Sequence, residues 1–136
     1  MTDRALVGIV LVSHSDEVAR SVARLAAALA GGGELAPVMA AGGTPDGDLG
    51  TSSELIADAA RRADRGAGVV VLADLGSAVV TVRAMLAEGD ELPPDTRLVD
   101  APFVEGAVAA VVTASAGADL AAVAAAAGEA YTFRKL

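Results

Sequence analysis

A chain of 136 residues is long enough for one compact domain with a real hydrophobic core, and a formal charge of −8 argues against DNA or RNA as a partner, since phosphate backbones need clustered positive charge. The absence of cysteine excludes disulfides and thiol chemistry, and a single histidine leaves almost nothing from which to build a structural zinc site. No signal peptide is visible, and no run of about 20 apolar residues could cross a bilayer, so a soluble, cytoplasmic protein without a membrane partner is expected.

The first element is the apolar run Leu6 to Val12, which reads as a buried strand. It breaks at Ser13-His14-Ser15-Asp16. Val18, Val22, Leu25 and Leu29 then recur at helical spacing, with Glu17, Arg20, Ser21 and Arg24 opposite, and Ser15 or Asp16 is positioned to cap the helix. His14, the only histidine, therefore sits where a strand ends and a helix begins. Gly31 to Gly33 stops that helix. Leu35 to Ala41 reads as a second strand, placed at an edge because Pro37 cannot donate to a ladder.

The stretch Gly42 to Ser52 holds too much glycine and proline for regular structure. Thr51 or Ser52 caps a second helix that carries Glu54 in its first turn and Arg61, Arg62 and Arg65 at its end, matching the helix dipole. Its apolar face is Leu55, Ile56, Ala59, Ala60 and Ala63. Val69 to Ala73 is the clearest core strand after the first, and Asp74-Leu75-Gly76-Ser77 is the turn at its carboxyl end. A third helix is expected over 78–88 with Val79, Val82 and Leu86 inward. A short strand follows over 97–100, then a helix over 104–115 with a stripe of Ala107, Val108, Val111 and Val112. A last alanine-rich helix begins at Asp119, and Tyr131 to Leu136 is a tail.

Strands alternating with helices give an α/β fold with an open, mainly parallel sheet and helices on both faces. Right-handed crossovers arrange four such strands most simply in the order 2-1-3-4. The helices after strands 1 and 3 then lie on opposite faces, and a crevice opens between those strand ends. His14 follows strand 1 and Asp74 follows strand 3, so the topology alone brings them together.

A carboxylate beside a histidine fixes the ring tautomer and leaves the other nitrogen as a base or nucleophile. Ser15, Gly43, Thr44, Thr51, Gly76 and Ser77 are candidates to bind an anion there, through backbone N–H groups and hydroxyls at turns and helix starts. Phosphoryl transfer through histidine needs those parts and no cofactor or metal. Taken singly, each feature has a plainer role: His14 a solvated loop residue, Asp74 a helix cap, the glycine-rich stretch a long turn. Several alternatives fail on sequence. There is no P-loop motif, no Gly-x-Gly-x-x-Gly after the first strand and no Gly-x-Ser-x-Gly elbow. A receiver-type site would want acidic residues where Ser13-His14 stand.

Together, Val7 to Ser15, Gly42-Gly43-Thr44 with Leu49 to Ser52, and Leu72 to Ala78 resemble the DhaM phosphocarrier subunits of phosphoenolpyruvate-dependent dihydroxyacetone kinases, whose domain is similar to mannose-type EIIA domains of the sugar phosphotransferase system. The resemblance covers roughly residues 5–115. It implies one EIIA-like domain over 1–136, with His14 phosphorylated by HPr and Asp74 orienting its ring. It further implies passage of the phosphoryl group to ADP on a DhaL subunit, for dihydroxyacetone bound on DhaK. It implies a homodimer, for which the valine stripe and the last helix are candidate contacts. The alternative is a mannose-type EIIA domain serving a sugar permease or a regulatory contact.

Overall fold

The computed structural model describes residues 5–136. Strands β1 (Gly8–Ser13), β2 (Val38–Gly42), β3 (Val69–Ala73) and β4 (Thr96–Leu98) alternate with helices α1 (Asp16–Leu29), α2 (Ser53–Ala63) and α3 (Gly76–Glu88). Two further helices, α4 (Phe103–Ser115) and α5 (Leu120–Glu129), close the order. All strand pairs are parallel and the sheet order is β2-β1-β3-β4, as the sequence predicts.

Helices cover both faces. Ile9, Leu11, Val70 and Leu72 point into a core shared with α1, α4 and α5, while Val10, Val12, Val69 and Val71 point into one shared with α2 and α3. Burial on both faces is why β1 and β3 are unbroken apolar runs rather than alternating ones. The helices contribute mainly alanine and valine, which lets them lie close to the sheet. At Gly8 the approach is closest: an added Cβ would lie 2.2 Å from the Ala63 carbonyl oxygen at the end of α2.

Several boundaries and faces differ from expectation. Strand β2 begins only at Val38, because Pro37 has no N–H to donate, although its carbonyl still accepts from the Ile9 N–H at 2.8 Å; Leu35 is exposed. Helix α2 ends at Ala63, so Arg65 lies beyond it. Helix α3 starts two residues early, at Gly76, and β4 is Thr96–Leu98 rather than 97–100. The largest correction concerns α1. Of its predicted inward stripe only Val22 is buried, with Ala19 and Ala26; Val18, Leu25 and Leu29 are exposed. Alanine faces the sheet because a larger side chain would hold the helix away, and the bulky stripe is turned aside. In α4, Val112 is likewise exposed while Ala107, Ala110, Val111 and Ala114 are buried.

The contact at Gly8 is a direct test of this close packing. Gly8→Ala must push α2 and β1 apart, and such overpacking costs about 1–3 kcal/mol. A urea titration should show a lowered midpoint of that size, and an unchanged midpoint would mean that the helix end yields freely.

Candidate functional site

The site stands at the carboxyl ends of β1 and β3, the neighbouring strands whose following helices leave to opposite faces. Ser13 is the last residue of β1 and His14 follows it; Asp74 follows β3. The backbone ties these ends together, with the Asp74 N–H donating to the Val12 carbonyl at 3.0 Å.

Asp74 is the centre of the constellation. One carboxylate oxygen, Oδ2, accepts from the Ser13 hydroxyl at 2.8 Å and from the His14 backbone N–H at 3.1 Å. The other, Oδ1, accepts from the Leu75 N–H at 2.7 Å and faces His14 Nδ1 at 3.0 Å. Burial pushes the carboxyl pKa upward, but the His14 N–H, the Ser13 hydroxyl, the His14 ring and the Leu75 N–H outweigh it and hold the group below the ordinary aspartate value. An ionised carboxylate can only accept, so Nδ1 carries the proton in this contact. In the neutral ring the lone pair is then on Nε2, which meets the Ser77 hydroxyl at 2.5 Å. The geometry leaves one oriented, nucleophilic nitrogen at the surface of the crevice.

The surrounding residues hold this pair in place. Ser15 caps α1, its hydroxyl accepting from the Val18 N–H at 3.3 Å, and its own N–H donates to Ser13 Oγ at 3.1 Å. Gly43 donates its N–H to the Ser13 carbonyl, and Gly50 donates to the His14 carbonyl at 2.9 Å. Gly43 has a φ of +69°, which an L side chain rarely adopts. Thr44 serves the loop itself, accepting from the Asp48 N–H. Gly76 and Ser77 open α3 just beyond the carboxyl end of β3, and the Ala78 and Val79 N–H groups that follow donate to the Leu75 carbonyl.

The candidates of the sequence do not all share one pocket. Asp74 and Gly76 border a hollow of about 580 Å³ that also includes Arg83 and Tyr131. Thr44 lines a separate groove of about 530 Å³ along β2, with Arg20, Arg24 and Arg62. Sequence reasoning gave no site role to two residues. Ser13 is buried and donates to Asp74, and a polar residue closing an apolar strand beside the only histidine was the available signal. Thr81 donates to the Ser77 carbonyl at 3.2 Å and meets Thr51 Oγ1 at 3.1 Å, linking α3 to the glycine-rich loop. Its only signal was a position one turn after Ser77.

Comparison with known proteins gives a consistent picture. The EIIA-man family, described as "PTS system fructose IIA component", matches residues 8–124. The chain is 34% identical over 108 residues to a Listeria innocua protein described as "PEP-dependent dihydroxyacetone kinase 2, phosphoryl donor subunit DhaM", covering 79% of this chain and 85% of that protein. It is 32% identical to the phosphoryl donor subunit DhaM of Escherichia coli, covering 85% of this chain but only 25% of that longer protein. Among solved structures, the protein EF1359, of unknown function, matches with a TM-score of 0.75 and 32% identity, over 91% of this chain and 94% of that one.

Two measurements test the carboxylate network. Ser13→Ala leaves Oδ2 of a part-buried carboxylate with one donor fewer, which should cost about 1–3 kcal/mol in urea denaturation and be recovered in Ser13→Thr. Because the folded pKa of Asp74 is depressed, its contribution to stability is present above the unfolded value of about 3.9 and is lost as pH falls through the lowered folded value. Stability measured against pH from about 5 downward should therefore fall less steeply in Asp74→Asn than in the wild type. Parallel curves would show that Asp74 is not a carboxylate favoured by the fold.

Proposed function

The chain belongs to the EIIA-man family, and we propose that it is a phosphohistidine carrier, the phosphoryl donor subunit of a dihydroxyacetone kinase driven by phosphoenolpyruvate. One observation carries this reading: His14 is bound at Nδ1 by a carboxylate held in its charged form, while Nε2 points outward to a hydroxyl that can turn away from it.

The chemistry follows from that arrangement. The Nε2 lone pair attacks phosphorus on phosphorylated HPr; the Nε2–P bond forms as the donor's N–P bond breaks. Nδ1 keeps its proton on Asp74, whose negative charge balances the positive charge that develops in the ring. Ser77 then turns its O–H from Nε2 towards a phosphoryl oxygen, and in this reading the Gly76 and Ser77 N–H groups at the start of α3 supply further donors to the same anion. In the second half the Nε2–P bond breaks and an oxygen of ADP, held by a DhaL subunit, takes the group. The ATP formed serves dihydroxyacetone on a DhaK subunit. The protein needs no cofactor or metal of its own for either step, because the donor and acceptor carry the reacting groups.

Residues 1–136 act in this reading as one EIIA-like domain that works as a homodimer. Support for the dimer comes from the layer of α1 and α4, which pack side by side on one face of the sheet. Val18, Leu25 and Leu29 of α1 and Val104 and Val112 of α4 are exposed there. An apolar stripe running the length of a helix marks a contact more often than a solvated face. Of the predicted valine stripe only Val112 belongs to this surface, since Ala107 and Val111 are buried in the core and Val108 packs against it; α5 contributes none of the exposed residues named.

The decisive test is intact mass after incubation with phosphoenolpyruvate, enzyme I and HPr. Wild type should gain one acid-labile phosphate, His14→Ala should gain none, and DhaL with ADP should discharge the wild-type adduct. Labelling that survives in His14→Ala would sink the assignment. Sedimentation equilibrium tests the assembly: wild type should run at twice the 13.3 kDa chain mass, and Leu25→Asp with Val112→Asp should run as a monomer. A dimer that persists in that variant would place the contact elsewhere.

A further inference from the structure

We infer that the open edge of β2 is a docking site for an extended, acidic segment of a partner protein, which adds to the sheet as a further strand. The inference does not rest on the carrier reading. The groove that holds this edge runs along β2, and neither His14 nor Asp74 lines it.

β2 pairs with β1 alone, so its other side has no strand partner. The ladder fixes which backbone groups face out. The Pro37 carbonyl accepts from the Ile9 N–H at 2.8 Å, and the Gly43 N–H donates to the Ser13 carbonyl at 3.1 Å. Alternate residues of a strand in a parallel pair turn their N–H and C=O to opposite sides. Pro37, Met39, Ala41 and Gly43 therefore face β1, and Val38 and Ala40 present both groups at the open edge. Natural edges are commonly guarded by a charged side chain, a proline or a bulge. From Val38 to Gly42 this strand has none of these: every residue is uncharged and the pairing with β1 runs without a break.

The charges stand on the walls instead. Arg20 and Arg24 of α1 and Arg62 of α2 line the groove of about 530 Å³ to which β2 contributes all five of its residues. Asp16 and Asp58 line it too, paired with Arg20 at 2.9 Å and with Arg62 at 3.5 Å. Arg24 has no carboxylate partner among the described residues; its guanidinium donates to the Ser21 hydroxyl at 3.2 Å. Three arginines against two aspartates leave a positive groove on a chain whose net charge is −8. Exposed pairs within one helix turn are weak, so an incoming carboxylate can share or replace them. A second copy of the chain would bring the same excess of arginine to the seam. An acidic strand meets both features: its backbone pairs with the groups of Val38 and Ala40, and its carboxylates reach the guanidinium groups on either wall.

The test is an amide NMR titration of the whole chain, labelled with nitrogen-15, against a capped peptide built of glutamate pairs alternating with valine pairs. That pattern puts carboxylates on both faces of a strand. The Val38 and Ala40 amides should shift and saturate. Arg24→Glu with Arg62→Glu, checked for folding by circular dichroism, should raise Kd by about tenfold or more. Two control peptides, titrated into wild type, do not depend on how the variant folds. One carries lysine for glutamate and should not bind. The other keeps its glutamates but has every peptide N–H methylated, and its Kd should also rise by about tenfold or more. An absence of saturable shifts at Val38 and Ala40, or an equal response to the lysine peptide, would overturn the proposal. Undiminished binding of the methylated peptide would overturn it as well, by showing a contact of charge without strand addition. Phosphorylation of His14 is read in a separate experiment, so failure here leaves the carrier reading standing.

Discussion

The carboxylate of Asp74 is the interaction on which the site depends. It joins the ends of two parallel strands that are distant in sequence, and both its oxygens are occupied by donors from both sides of the crevice. A carboxylate with that many donors stays charged, although burial works against it. The fixed charge does two things at once: it selects the tautomer of His14, and it lies beside the ring where positive charge would develop. The structure and the proposed chemistry therefore rest on one anion.

The sheet makes that meeting possible. Parallel order 2-1-3-4 places β1 and β3 side by side and sends α1 and α3 to opposite faces, so no helix covers their carboxyl ends. Close packing keeps the register. Gly8 allows the end of α2 to rest on β1, and at Gly42 an added Cβ would lie 2.4 Å from the Ser15 carbonyl oxygen. The second contact fixes the start of α1 against the end of β2, and with it the loop that carries His14. The Thr51–Thr81 hydroxyl pair then binds the glycine-rich loop to α3, whose first turn presents Ser77.

Several exposed apolar residues lie along two neighbouring helices, Val18, Leu25 and Leu29 on α1 and Val104 and Val112 on α4. In the proposed dimer these are the residues that a second copy of the chain would cover.

Much was legible in the sequence because the signals are local. The strand–helix alternation, the parallel sheet with its strand order, and the approach of Asp74 to His14 all follow from apolar runs and polar breaks at strand ends. The resemblance of the motifs then pointed to the family. Other features were decided only by the tertiary structure. The stripe Val18, Val22, Leu25 and Leu29 has a helical period, but period says only that residues share a face, not what the face meets. In three dimensions α1 rests on the sheet through Ala19 and Ala26, and the larger residues turn outward. The polar break at Ser13 and the spacing of Thr81 from Ser77 do not say what either side chain meets, because a single hydroxyl gains meaning only from the partner that it reaches across the fold. Periodicity is a property of one segment and can be read along the chain; a hydrogen bond between residues 61 positions apart exists only once the chain has closed on itself.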